Sequence, residues 1–218
     1  MSRVSRWIAW GALLAGTLLI LENSVADFGP EGRGVFVAQK GEIGQQPLWQ
    51  FSLRLHVVAG IVCLLSVLPQ FSRKLRCRIP ALHRGCGRAY AASVLLFLCP
   101  TGLYLAFFAK GGPPGVAGFL LLGAATFHAT LRGVTAMFGP SRDLAAHRRW
   151  MTRSFALAAS AVTFRALHFL FFEAGVPEEV NYVASLWLSI LGNAAVAELI
   201  LRRRSRVAAL PVSIPSIP

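Results

Sequence analysis

Carboxylates are scarce in this chain. Against 22 lysines and arginines stand nine aspartates and glutamates, and charged residues of both signs make up 14% of 218 positions. A soluble globular domain carries about 25%, so there is too little charge to solvate a water-facing surface of this size. The placement of the carboxylates excludes more. None falls within the apolar stretches at residues 55–71, 89–109, 115–138 and 154–172, and Glu198 is the one acidic residue well inside any apolar stretch. Carboxylates that relay protons or coordinate sodium within the bilayer are therefore lacking, which weakens a secondary-transporter reading. Cysteine is sparse too. Cys63 and Cys99 lie in apolar stretches, Cys77 and Cys86 flank the start of another, and no C-x-x-C occurs. Neither a disulfide framework, a zinc site nor covalently attached haem is indicated. The G-x-S-x-G, H-E-x-x-H and phosphate-loop signatures are also missing.

Apolar residues are what the chain has in quantity. They occupy 55% of positions, and the mean hydropathy is +0.58. Six apolar runs, at 7–21, 55–71, 89–109, 115–138, 154–172 and 181–201, mostly approach the roughly 20 residues that a spanning helix needs. The pattern predicts an all-α, polytopic membrane helical bundle with six transmembrane helices. Its parts are a first span (1–22), an outer loop (23–50), a four-helix core (51–173), a sixth span (174–206) and a disordered tail (207–218). Glu22-Asn23-Ser24-Val25-Ala26 is a poor cleavage site, so the first span reads as a retained anchor rather than a signal peptide.

Charge orients the bundle. Arg3 and Arg6 precede the first span; Arg73, Lys74, Arg76, Arg78 and Arg84 fill the second loop; Arg142, Arg148 and Arg149 the fourth; Arg202, Arg203, Arg204 and Arg206 the end of the sixth span. Asp27, Glu31, Glu42, Glu173, Glu178 and Glu179 occupy the alternate loops. Cationic loops stay cytoplasmic, which places both termini in the cytoplasm of a bacterial inner membrane. The net charge of +13 is then topogenic and faces anionic lipid headgroups. The basic residues are dispersed at helix ends with no recognition motif, so no nucleic-acid partner is expected.

Four of the five histidines form two similar pairs. His56 and His128 sit inside apolar runs, and His83 and His147 stand where the following helices begin. The two hairpins share a pattern: His56, Gly60, a basic loop and His83-Arg84 in one, His128, Gly133, a basic loop and His147-Arg148 in the other. A duplicated hairpin would produce it, and so would two hairpins obeying one topology rule. Imidazoles from paired spanning helices are what a b-type haem requires. The expected axial pairs to haem iron are His56 with His128 and His83 with His147, two haems across the bilayer. Arg132 lies one turn after His128, and Arg165 lies three residues before His168. Lacking carboxylates, these arginines must snorkel or meet a haem propionate, a lipid phosphate or a quinone oxygen. The bland alternative is that the histidines bond loop carbonyls or lipid phosphate.

Several stretches carry a resemblance: Leu55-His56, Leu68-Pro69-Gln70-Phe71, Pro80-Ala81-Leu82-His83-Arg84, Ala146-His147-Arg148-Arg149-Trp150-Met151 with Arg153-Ser154, and Val162-Thr163-Phe164-Arg165. Over about residues 52–170 they resemble the bacterial membrane-protein family called domain of unknown function 2306. The resemblance implies a polytopic inner-membrane protein and brings no established activity. In architecture the chain is also similar to the ascorbate-reducible two-haem cytochrome b family. That similarity implies transmembrane electron transfer, with ligands paired between spans two and four and between three and five. The functional expectation is a haem b electron carrier. The alternatives are a non-enzymatic accessory subunit of a membrane complex, or a transporter or sensor.

Overall fold

The computed structural model describes residues 35–208 except 68, 71, 139 and 141, together with residues 11, 16 and 18. The first span, most of the outer loop and the tail lie outside the described residues.

Among the described residues there is no strand, and five helices are long and apolar enough to cross a membrane. A short helix α1 (Val35–Ala38) and a 3-10 turn (Ile43–Gln45) lead into α2 (Pro47–Val67). Thus α2 begins eight residues before the apolar run at 55. In its first turns Trp49 and Ser52 are buried while Leu48 and Phe51 are exposed. After a short basic helix (Arg73–Arg78), capped by the Ser72 hydroxyl on the Leu75 amide at 3.1 Å, α3 runs over Pro80–Ala106. Proline suits that first position because its missing N–H would be unsatisfied there anyway.

The α3–α4 turn depends on glycine. Gly111 and Gly112 have φ of 81° and 60°, the left-handed region that disfavours a side chain, and α4 (Gly112–Thr135) follows at once. Asp143 caps α5, accepting the Ala146 amide at 2.7 Å. This helix spans Leu144–Glu173 with an interruption at Ala159, and α6 is Glu178–Ala208.

Helices α2, α3, α4 and α5 form a ring in which each meets its sequence neighbour and α5 closes against α2, while α6 lies on α4 and α5. Helices α2 and α4 are diagonal and make no direct contact among the described residues.

Polarity across this bundle is inverted relative to a water-soluble one. Buried positions include Ser93, Thr126, Thr130, Ser154, Ser160 and Ser189, whereas Phe51, Phe107, Phe169, Phe172, Leu191 and Leu199 are exposed. In lipid, apolar surface has nothing to gain from hiding, and small hydroxyl residues let helices approach and bond. At the α5–α6 contact, Asn193 donates to Ser160 at 3.2 Å and to Thr163 at 3.0 Å.

Candidate functional site

Besides the Asn193 contact between α5 and α6, three polar clusters stand out among the described residues. The first lies at the arginine-rich end, where His83 and His147 each stand three residues into their helices, after Pro80 and Leu144. The two are therefore at matching depth. His147 Nδ1 lies 2.7 Å from the Gly133 carbonyl of α4. A carbonyl can only accept, so Nδ1 carries the hydrogen and Nε2 keeps its lone pair in the neutral ring. Gly133 permits this approach, since a Cβ there would stand 2.6 Å from Met151 Sδ. His83 Nδ1 is buried and has no hydrogen-bond partner among the described residues. His147, Arg76 and Arg84 all lie within electrostatic reach of it, and Gln70 steadies its turn by donating to the His83 carbonyl at 2.8 Å.

A chain of hydroxyls sets the rotation of α3 against α5. Thr130 donates to the Thr126 carbonyl at 2.7 Å. Ser154, 2.6 Å from Thr130, must then donate to it, and Tyr90 donates to Ser154 at 2.7 Å. Tyr90 lies seven residues after His83, and Ser154 seven after His147. Seven residues are two turns, so each pair shares one helix face. The bond between Tyr90 and Ser154 thus turns the faces bearing His83 and His147 toward each other.

The second cluster is on the outside of α4, α5 and α6. His128 is exposed and meets the Trp150 ring edge-on at 5.4 Å. Arg132 and Arg153 stand over the same indole at 5.7 and 4.9 Å. Arg153 also grips Glu198 through two bonds, Nε to Oε1 at 2.6 Å and Nη2 to Oε2 at 3.1 Å. Arg132 is therefore partnered by an aromatic face, a role that interior snorkelling alone does not describe. Trp150, Arg153 and Glu198 are functional-looking residues that sequence reasoning did not assemble.

The third cluster lies in the opposite half, around His56. Helix α3 widens there into a π-helical segment, Ser93–Leu98, just before Pro100. Proline offers no N–H to the preceding turn and crowds the carbonyl four residues back; such widenings recur at functional sites. His56 Nδ1 meets the Leu98 carbonyl at 3.0 Å and the Thr101 hydroxyl at 3.2 Å. Gly102 makes room for it, because a Cβ there would stand 2.9 Å from His56 Cε1. Arg165 bonds its own helix at the Ala161 carbonyl, 3.0 Å away, within electrostatic reach of His56 and Tyr182. His168 pairs with Glu178 at 3.3 Å and accepts Asn181 on its carbonyl at 3.0 Å, a clasp joining the end of α5 to the start of α6.

The geometry sets His56 and His128 apart. His56 is nine residues into α2 and His128 sixteen into α4, counted from the same end of the bundle. At about 1.5 Å per residue they differ in depth by roughly 10 Å. The faces disagree as well: His56 turns toward α3, and His128 turns outward beside Trp150, opposite the buried Thr126, Thr130 and Gly133. Of the two expected pairs, His83 and His147 lie within electrostatic reach of each other, while His56 and His128 differ in depth and in the face they occupy.

Five apolar helices, with hydroxyl-lined contacts inside and large hydrocarbon side chains outside, define a polytopic α-helical membrane protein. More particularly, the chain belongs to the family described as predicted membrane protein DUF2306, which matches residues 53–201 and so takes in all six candidate site residues. No curated protein and no solved structure matches the chain. The likeness to two-haem cytochromes accordingly rests on histidine placement alone.

Proposed function

We propose that the protein binds one b-type haem at its arginine-rich end, where His83 and His147 would hold the iron, and serves electron transfer in a bacterial inner membrane whose cytoplasmic side is that end. The carrying observation is the 2.7 Å bond between Tyr90 and Ser154, two turns from each histidine, which holds the ligand-bearing faces in register. Two further features suit a haem. The Gly133 carbonyl holds His147 in the tautomer that leaves Nε2 basic, an outer contact of the kind that orients metal-bound imidazoles. The Nδ1 of His83 is buried with no hydrogen-bond partner among the described residues, so no bond from that nitrogen commits the ring to another role. Arg76 and Arg84 are the cations in reach for the propionates. Bound haem would supply one-electron redox chemistry. The chain's part is to hold the two imidazoles, pair the propionates and exclude the remaining histidines from the iron.

The test is the dithionite-reduced absorption spectrum of protein purified from haem-supplemented cells. The expected result is a sharp alpha band that is lost in His83→Ala and in His147→Ala and retained in His128→Ala. A well-folded protein without the band contradicts the reading and turns attention to copurifying proteins, as an accessory subunit requires.

A further inference from the structure

A groove of about 380 Å³ opens between α5 and the end of α6. Its walls carry Arg149, Arg153, Glu198, Arg202, Ser205 and Arg206. Glu198 spends its charge on Arg153 in the two-bond pair already described, so four cations less one anion leave a net +3, held by Arg149, Arg202 and Arg206. Arg202 and Arg206 are one turn apart on a single face, and like charges at that spacing repel. Glu198, already bonded to Arg153, lies within electrostatic reach of Arg202, and neither Arg202 nor Arg206 forms an ion pair of its own among the described residues. We propose that this groove binds the phosphate of an anionic phospholipid.

The chemistry favours a phosphate because guanidinium forks match its oxygens in pairs, and the Ser205 hydroxyl adds a donor. The lipid source is favoured by position. The groove lies where α6 passes from its apolar stretch into the Arg202–Arg206 run, with the apolar Leu201 among its lining residues and Val196 and Leu199 exposed on the same helix for acyl chains. Basic pockets between spanning helices at headgroup depth hold anionic headgroups in this way. Arg203 and Arg204 belong to the same run but do not line the groove, which supplies an internal control. The site is independent of the haem reading.

The experiment is native mass spectrometry of the delipidated full chain, titrated with phosphatidylglycerol, with phosphatidylcholine and with inorganic phosphate. Phosphatidylglycerol should bind best, and R202Q/R206Q should weaken it roughly thirtyfold, since each nearby cation contributes about fivefold. R203Q/R204Q should stay close to the parent protein. Glu198→Gln frees Arg153 and should tighten phosphatidylglycerol binding several-fold, a direction that a folding defect cannot mimic. Equal loss in both arginine doubles, equal binding of phosphatidylcholine, no tightening in Glu198→Gln, or displacement of lipid by millimolar inorganic phosphate would each overturn the proposal.

Discussion

Removing the Ser154 hydroxyl breaks the hydroxyl chain at its centre. Ser154 and Thr130 are 0% exposed and Tyr90 is 1% exposed, so no water can replace the lost partner. Ser154→Ala takes away the 2.7 Å acceptor of the Tyr90 O–H and leaves it only the Thr130 hydroxyl within reach, while Thr130 loses its incoming bond from Ser154. An orphaned buried group costs about 1–3 kcal/mol, while interhelical bonds in a membrane protein average about 0.6 kcal/mol with a maximum near 1.7. The expected cost is therefore about 1.5 kcal/mol, toward the upper end of the membrane range because a buried donor loses its 2.7 Å acceptor and keeps only a poorer one. Tyr90→Phe removes the donor itself while Ser154 still donates to Thr130, so its cost should be near 0.6 kcal/mol. In the double variant Tyr90 has no donor left to lose its acceptor, and the cost should fall short of the sum of the singles by up to about 1 kcal/mol. Reversible unfolding of the purified protein in mixed micelles, followed by circular dichroism, measures all three. Additive costs would refute the assigned direction of the chain.

Other expectations follow from single contacts. Gly102→Ala places a methyl group 2.9 Å from His56 Cε1 and should destabilise by about 1–3 kcal/mol through overpacking; His56→Ala in the same chain should relieve most of that loss, and a cost unchanged by it would refute the contact. Trp150→Leu removes the indole beneath Arg132 and Arg153 and should cost about 1–2 kcal/mol in the same unfolding assay, at 0.5–1 kcal/mol per exposed cation–π contact. Under the proposed ligation by His83 and His147 it should leave any haem absorbance in place, and loss of the band would contradict that assignment.

Hydropathy and charge made the spans legible because lipid imposes length and composition on every crossing helix. Helix faces were harder to read. Around His128 the buried positions are Thr126, Ala129, Thr130 and Gly133, small and partly polar, so an apolar stripe does not mark the interior as it would in water. His128 accordingly looks interior in the sequence and is exterior in the fold. The His83 and His147 pair was visible from position. Its registration by Tyr90 and Ser154 is also written in the sequence, as two spacings of seven, but only the bond between them gives the spacing meaning. Pro100-Thr101-Gly102 stands out as a helix-breaking string, yet nothing in it names His56 as the residue it accommodates. Glu198 is equally conspicuous, and its partner Arg153 lies 45 residues away on another helix, beyond the reach of any local pattern.

The most direct measurement is the haem content per chain of the purified protein by pyridine haemochromogen assay, read beside its low-temperature electron paramagnetic resonance. One haem per chain with a low-spin bis-histidine signal is the result predicted by ligation at His83 and His147 alone. Two haems per chain would contradict the separation of His56 from His128, and a folded protein without haem would contradict the inner site itself.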